Sequence, residues 1–100
     1  MTFYSVLEVT PTSEEWIPAY IGPANSLVAK HGDKYLARTA SHERLEGKGE
    51  SAAMRIILEW PSKDAALAFM NDPEYVPHLQ ARTAGSISHH FLIQGKDDLA

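Results

Sequence analysis

One hundred residues, 44% hydrophobic and 22% charged, describe one folding domain with a real core rather than a disordered chain. The net charge of -4 comes without a run of like charge, which argues against nucleic acid and against a polybasic membrane contact, and no segment reaches the ~18 apolar residues that span a bilayer. The absence of cysteine removes disulfides, thiolate nucleophiles and cysteine metal sites, and Met1 to Glu8 lacks a basic and apolar leader, so the expected compartment is the cytoplasm.

Phe3 to Val9 is rich in aromatic and β-branched residues and is broken by Thr10-Pro11-Thr12, which predicts a first strand. Phe3, Leu7 and Val9 share one face; Tyr4, Val6 and Glu8 share the other. Thr12 with Glu15 resembles a capping box opening a helix that runs to Lys30, with a kink expected near Gly22-Pro23 and a left-handed glycine cap at Gly32. Lys34 to Ala40 reads as a second strand, with Tyr35 and Ala37 on one face and Leu36 and Arg38 on the other. Ala53 to Trp60 is the clearest strand: Met54, Ile56, Leu58 and Trp60 make an apolar face, opposite Arg55, Ile57 and Glu59.

Ser62 is the expected N-cap of a second helix, and Asp72-Pro73 starts a short third one, which Pro77 is expected to distort. Ile87 to Gln94 closes the pattern as a strand, with Ile87, His89, Phe91 and Ile93 on one side and Ser88, His90, Leu92 and Gln94 on the other. Residues 1–95 are thus expected to form a single domain, with 96–100 as a loose tail.

Two βαβ-type halves predict the ferredoxin-like α+β fold, βαββαβ, with a four-stranded antiparallel sheet and its helices on one face. The other face is left bare. It is expected to carry Tyr4, Val6, Glu8, Leu36, Arg38, Arg55, Ile57, Glu59, His90 and Leu92, a mixture too apolar for water and too charged for a dry core. A second copy of the chain is the expected cover, which predicts a homodimer.

The ordered set Tyr20, then Gly32-Asp33-Lys34-Tyr35-Leu36-Ala37-Arg38, then Leu45-Glu46-Gly47, then Arg55 through Ser62, then Pro73-Glu74-Tyr75 and Arg82 resembles the domain-of-unknown-function thirteen-thirty family of the dimeric α/β-barrel superfamily. The resemblance spans nearly the whole chain. It implies the ferredoxin-like fold and a dimer whose sheets pack face to face around a pocket, and it carries no established activity. The family usually has a second glycine where Asp33 stands, phenylalanine where Trp60 stands, and often an aliphatic residue where His90 stands.

Arg38, Arg55, Glu8 and Glu59 on the bare face are candidates to hold a small carboxylate or carbonyl compound, since arginine grips carboxylates in a fork; the alternative is an ion-pair network. Tyr75 and Arg82 are candidates for the pocket rim, and Tyr20 reads as core. His90 is the candidate catalytic base, with Glu59 or Glu8 orienting its ring; the alternative is a histidine merely hydrogen-bonded in the interface. His89 points to the opposite side, so the pair does not chelate one metal, and no metal or cofactor is expected. Three functions fit these residues: a dimer binding a small organic molecule, a cofactor-independent monooxygenase or isomerase, and a purely structural dimerisation module.

Overall fold

The computed structural model describes residues 1–100. Its elements run β1 (Phe3–Pro11), α1 (Ile17–Lys30), β2 (Lys34–Thr39), β3 (Met54–Trp60), α2 (Lys63–Met70), α3 (Val76–Ala84) and β4 (Ser86–Gln94). The strands pair antiparallel in the order β2-β3-β1-β4, so β1 and β3 are central.

Period-2 alternation on β1 sends Ser5, Leu7 and Val9 toward the helices, where all are buried. Leu58 and Trp60 join them from β3, Ala24, Leu27 and Val28 from α1, and Ala66 and Phe69 from α2, making one core between the sheet and the helices. Each buried aliphatic side chain here contributes roughly 1.5–3 kcal/mol by leaving water.

The helix starts differ from expectation. Thr12 and Glu15 form no capping box; α1 begins at Ile17, with Pro18 in the first turn, where its missing N–H is not needed. The helix then runs unbroken through Gly22 and Pro23. The preceding turn is fixed instead by the backbone N–H groups of Thr12 and Ser13, which donate to the Gly85 carbonyl at 2.8 and 3.2 Å. Trp16 Nε1 donates to the same carbonyl at 3.0 Å. A Cβ on residue 85 would lie 2.3 Å from the Trp16 ring, so the close approach requires glycine.

Ser62 caps α2 as expected, its Oγ accepting from Ala65 N at 3.1 Å. Pro77 lies at the start of α3, where it is tolerated rather than distorting. Asp72 holds the corner between α2 and α3 against the end of α1: its Oδ2 accepts from Lys30 Nζ at 3.0 Å and meets His31 Nε2 at 2.8 Å, and its Oδ1 accepts from Glu74 N at 2.9 Å. The His31 bond, above all, holds this carboxyl well below the usual carboxylate range. Gly32 at φ +79° makes the left-handed turn that returns the chain to the sheet.

Two strands place their side chains otherwise than the sequence suggests. A register shift between Tyr35 and Ala37 bulges β2, so that Arg38, opposite Ile56, joins Tyr35 on the helix side while Ala37 faces away. On β4, Leu7 pairs with His90 and Ser5 with Leu92, which sends His90 and Leu92 under the helices. The bare face instead receives Ile87, His89, Phe91 and Ile93.

Candidate functional site

The space between sheet and helices is not filled. A cavity of about 420 Å³ opens there, lined by 22 residues of which 17 are hydrophobic. Its floor comes from the inward residues of the two central strands, and its sides from a chain of rings. Trp60 and Phe69 stand 5.3 Å apart, Phe69 and Tyr75 4.0 Å, Tyr75 and Tyr20 6.1 Å, and Tyr20 and Trp16 5.4 Å.

A few polar groups converge on this apolar space. Ser5 is the polar exception in the inward phase of β1, and its Oγ accepts from Trp60 Nε1 at 2.8 Å. The same oxygen meets His90 Nε2 at 2.8 Å, joining β1, β3 and β4 through one hydroxyl. Burial, with the Arg82 charge second, pulls the His90 imidazole down to about 4, so the ring is neutral at pH 7.

The hydroxyls of Tyr20 and Tyr75 lie 2.6 Å apart. One donates to the other, leaving one hydroxyl proton without an acceptor in the chain. Burial, then the neighbouring Tyr20, pushes the Tyr75 hydroxyl far above its ordinary range, so it stays a donor. Arg82 is only 4% exposed and forms no ion pair, and its Nε is buried without a partner. Its guanidinium carbon is 5.9 Å from the Tyr20 ring centre. Arg38 sits exposed where the cavity meets solvent, stacked 3.8 Å over the Tyr35 ring and donating to Asn25 Oδ1 at 2.7 Å.

The sequence-based candidates therefore divide. His90, Tyr75, Arg82 and Arg38 line the cavity on the helix side of the sheet. Glu8, Arg55 and Glu59 do not: they lie on the open face, where Arg55 Nη2 pairs with Glu8 Oε1 at 3.2 Å and Lys34 Nζ with Glu59 Oε2 at 3.5 Å. The expected set on one face is thus split by the β2 bulge and the β4 register, and neither Glu8 nor Glu59 orients His90, whose partner is Ser5. Ser5 escaped the sequence reading although its signal was present, a lone hydroxyl among Phe3, Leu7 and Val9. No group of three or more His, Cys, Asp or Glu side chains is arranged to hold a metal ion.

An antiparallel sheet ordered β2-β3-β1-β4, helices on one face and a cavity beneath them define a ferredoxin-like α+β domain. The chain belongs to the family described as domain of unknown function (DUF1330), which it matches over residues 2–96. Among solved structures it is similar to RPA0582, a protein of unknown function from Rhodopseudomonas palustris, at 18% identity and a TM-score of 0.79, covering 96% of this chain and 83% of that one. It is also similar to a mutant of SnoaB, a cofactor-independent oxygenase from Streptomyces nogalater, at 20% identity and a TM-score of 0.64, covering 98% and 96%. An antibiotic biosynthesis monooxygenase aligns at 14% identity and a TM-score of 0.53, covering 97% and 100%. At these identities the likeness is one of fold. No functionally curated protein matches the chain.

The buried imidazole has a pH signature. Between its ordinary 6.5 and its native value of about 4, the unfolded chain binds a proton that the folded one refuses, so stability falls as pH drops through that window. The loss attributable to this ring between pH 7 and 4.5 is about 2 kcal/mol. His90→Gln is expected to lose correspondingly less stability over that range in urea unfolding; an unchanged pH slope would contradict the burial of a neutral ring.

Proposed function

We propose that this domain binds one small, largely apolar organic molecule between its sheet and its helices. The cavity carries this reading: its volume of about 420 Å³ falls in the range of small-molecule sites, and its polar groups are few and convergent. Tyr75, Arg82 and His90 are its polar contacts, with Tyr20 and Ser5 holding two of them in place and Arg38 at the mouth. This refines the sequence expectation of a site for a carboxylate or carbonyl compound, moving it from the bare face to the space under the helices.

A cofactor-independent oxygenase, as the similar SnoaB is, is the second reading. It asks a side chain to take a proton from the substrate, and an imidazole pulled down to about 4 is a weak base at neutral pH.

The open face is proposed as the homodimer interface. Ile87, Phe91 and Ile93 are 58%, 68% and 49% exposed there, with Ile57 at 39% across β1, so β4 turns its more apolar side outward. The Glu8–Arg55 and Lys34–Glu59 pairs would lie within the contact. Face-to-face sheet packing of two copies covers these side chains.

Trp16 and Trp60 line the cavity and report its occupancy by fluorescence. Titration with 2-naphthoate is expected to quench their emission saturably, and Ile56→Trp, which fills the floor, is expected to weaken uptake at least tenfold while the far-UV dichroism is retained; undiminished uptake would place the ligand elsewhere. For the dimer, Phe91→Asp is expected to shift the mass measured by analytical ultracentrifugation from two chains to one. A variant that keeps the wild-type mass would remove this face as the interface.

A further inference from the structure

The charges around the cavity are unbalanced. Its lining holds two arginines, Arg38 and Arg82, and no aspartate or glutamate, although the chain has 13 acidic residues against 9 basic ones. Those carboxylates stand elsewhere: Glu8 and Glu59 on the open face, Asp72 at the helix corner, and Asp33 at the turn before β2. Arg82 is the sharper anomaly. Arg38 is exposed and already donates to Asn25, but the Arg82 guanidinium is buried, makes no hydrogen bond or ion pair, and has an orphaned Nε. Arginine stays protonated, and a buried cation is ordinarily paired.

Apolar groups on the ligand cannot answer this charge, and neither can a neutral carbonyl match a fork of parallel N–H donors. A carboxylate can, because its two oxygens fit the guanidinium fork. The groups beside Arg82 suit an anion: the spare proton of the Tyr20–Tyr75 pair is a donor, and the neutral ring of His90 adds no competing negative charge. Trp60, Phe69 and Tyr75 line the same space, an aromatic wall suited to a flat apolar body.

We infer that the cavity is a receptor for an aromatic monocarboxylate whose carboxylate seats on Arg82 and whose ring system lies among the aromatic side chains. The inference rests on the reading of this cavity as a binding site and adds the charge and shape of its ligand. The guanidinium thereby acquires the counter-ion that the chain withholds, and the acidic exterior disfavours adsorption of the same anion at the surface.

The test compares two isosteres, 2-naphthoate and 2-naphthamide, by calorimetry on the wild-type protein at pH 7.5, then repeats the titration on Arg82→Gln and Arg38→Gln. The carboxylate is expected to bind at least 30-fold more tightly than the amide. Arg82→Gln should bring the two within about threefold of each other, whereas Arg38→Gln should change naphthoate affinity less than threefold. Equal binding of carboxylate and amide to the wild type overturns the anion receptor and leaves the cavity as a binding site. Failure of both to bind overturns both readings. A preference abolished by Arg38→Gln and kept by Arg82→Gln overturns the seat on Arg82. The wild-type comparison decides the sign of the ligand even if a variant fails to fold.

Discussion

The register between β1 and β4 is the constraint on which the site depends. With Leu7 opposite His90, the inward phase of the edge strand is Ser88, His90 and Leu92, and the outward phase is Ile87, His89, Phe91 and Ile93. A slip of one residue would exchange these sets completely. His90 would then leave Ser5, Phe91 would enter the cavity, and the open face would lose its exposed aromatic. The polar floor of the cavity and the apolar open face are therefore two consequences of one pairing. Ser5 reinforces it, since its hydroxyl meets Trp60 from one neighbouring strand and His90 from the other.

Within that frame the electrostatics are uneven by construction. The open-face charges are paired and partly exposed, with side chains of Arg55 and Glu8 at 40% and 44% exposure, and such pairs contribute little stability. Under the helices the opposite holds: Arg82 is buried with no anion, and the nearby imidazole is kept neutral partly by that charge. A polar group left unpartnered in the interior costs stability, which is the observation behind the proposed ligand site. The chain thus combines a packed core at Leu7, Leu58 and Phe69 with an unpartnered buried polar group, Arg82 Nε.

Much of the fold was legible because its signals are periodic. Met54, Ile56, Leu58 and Trp60 alternate without exception, and Ser62 and Gly32 mark their helix ends by simple cap chemistry. The site was less legible, for reasons visible at three places. The bulge after Tyr35 adds a residue to β2 and turns Arg38 to the other side, and no turn residue in that strand announces it. On β4, hydrophobicity points the wrong way, because the phase containing Phe91 faces out and the phase containing His90 faces in. At Ser5, a single hydroxyl in an apolar phase was the true signal of a polar cavity floor. Arg82 and Tyr75 were recognisable as candidates, but only packing reveals that one lacks a counter-ion and the other shares its hydroxyl with Tyr20.

On the proposed reading, Arg82 carries a buried charge retained for a ligand and not for the fold. The most direct test is the unfolding free energy of Arg82→Met in ligand-free protein at pH 7, since methionine keeps the length of the apolar stem and removes the charge. Relief of an uncompensated buried cation predicts a gain of about 1–3 kcal/mol. A loss of stability of similar size would show that the guanidinium holds the folded chain together and is not retained for a ligand.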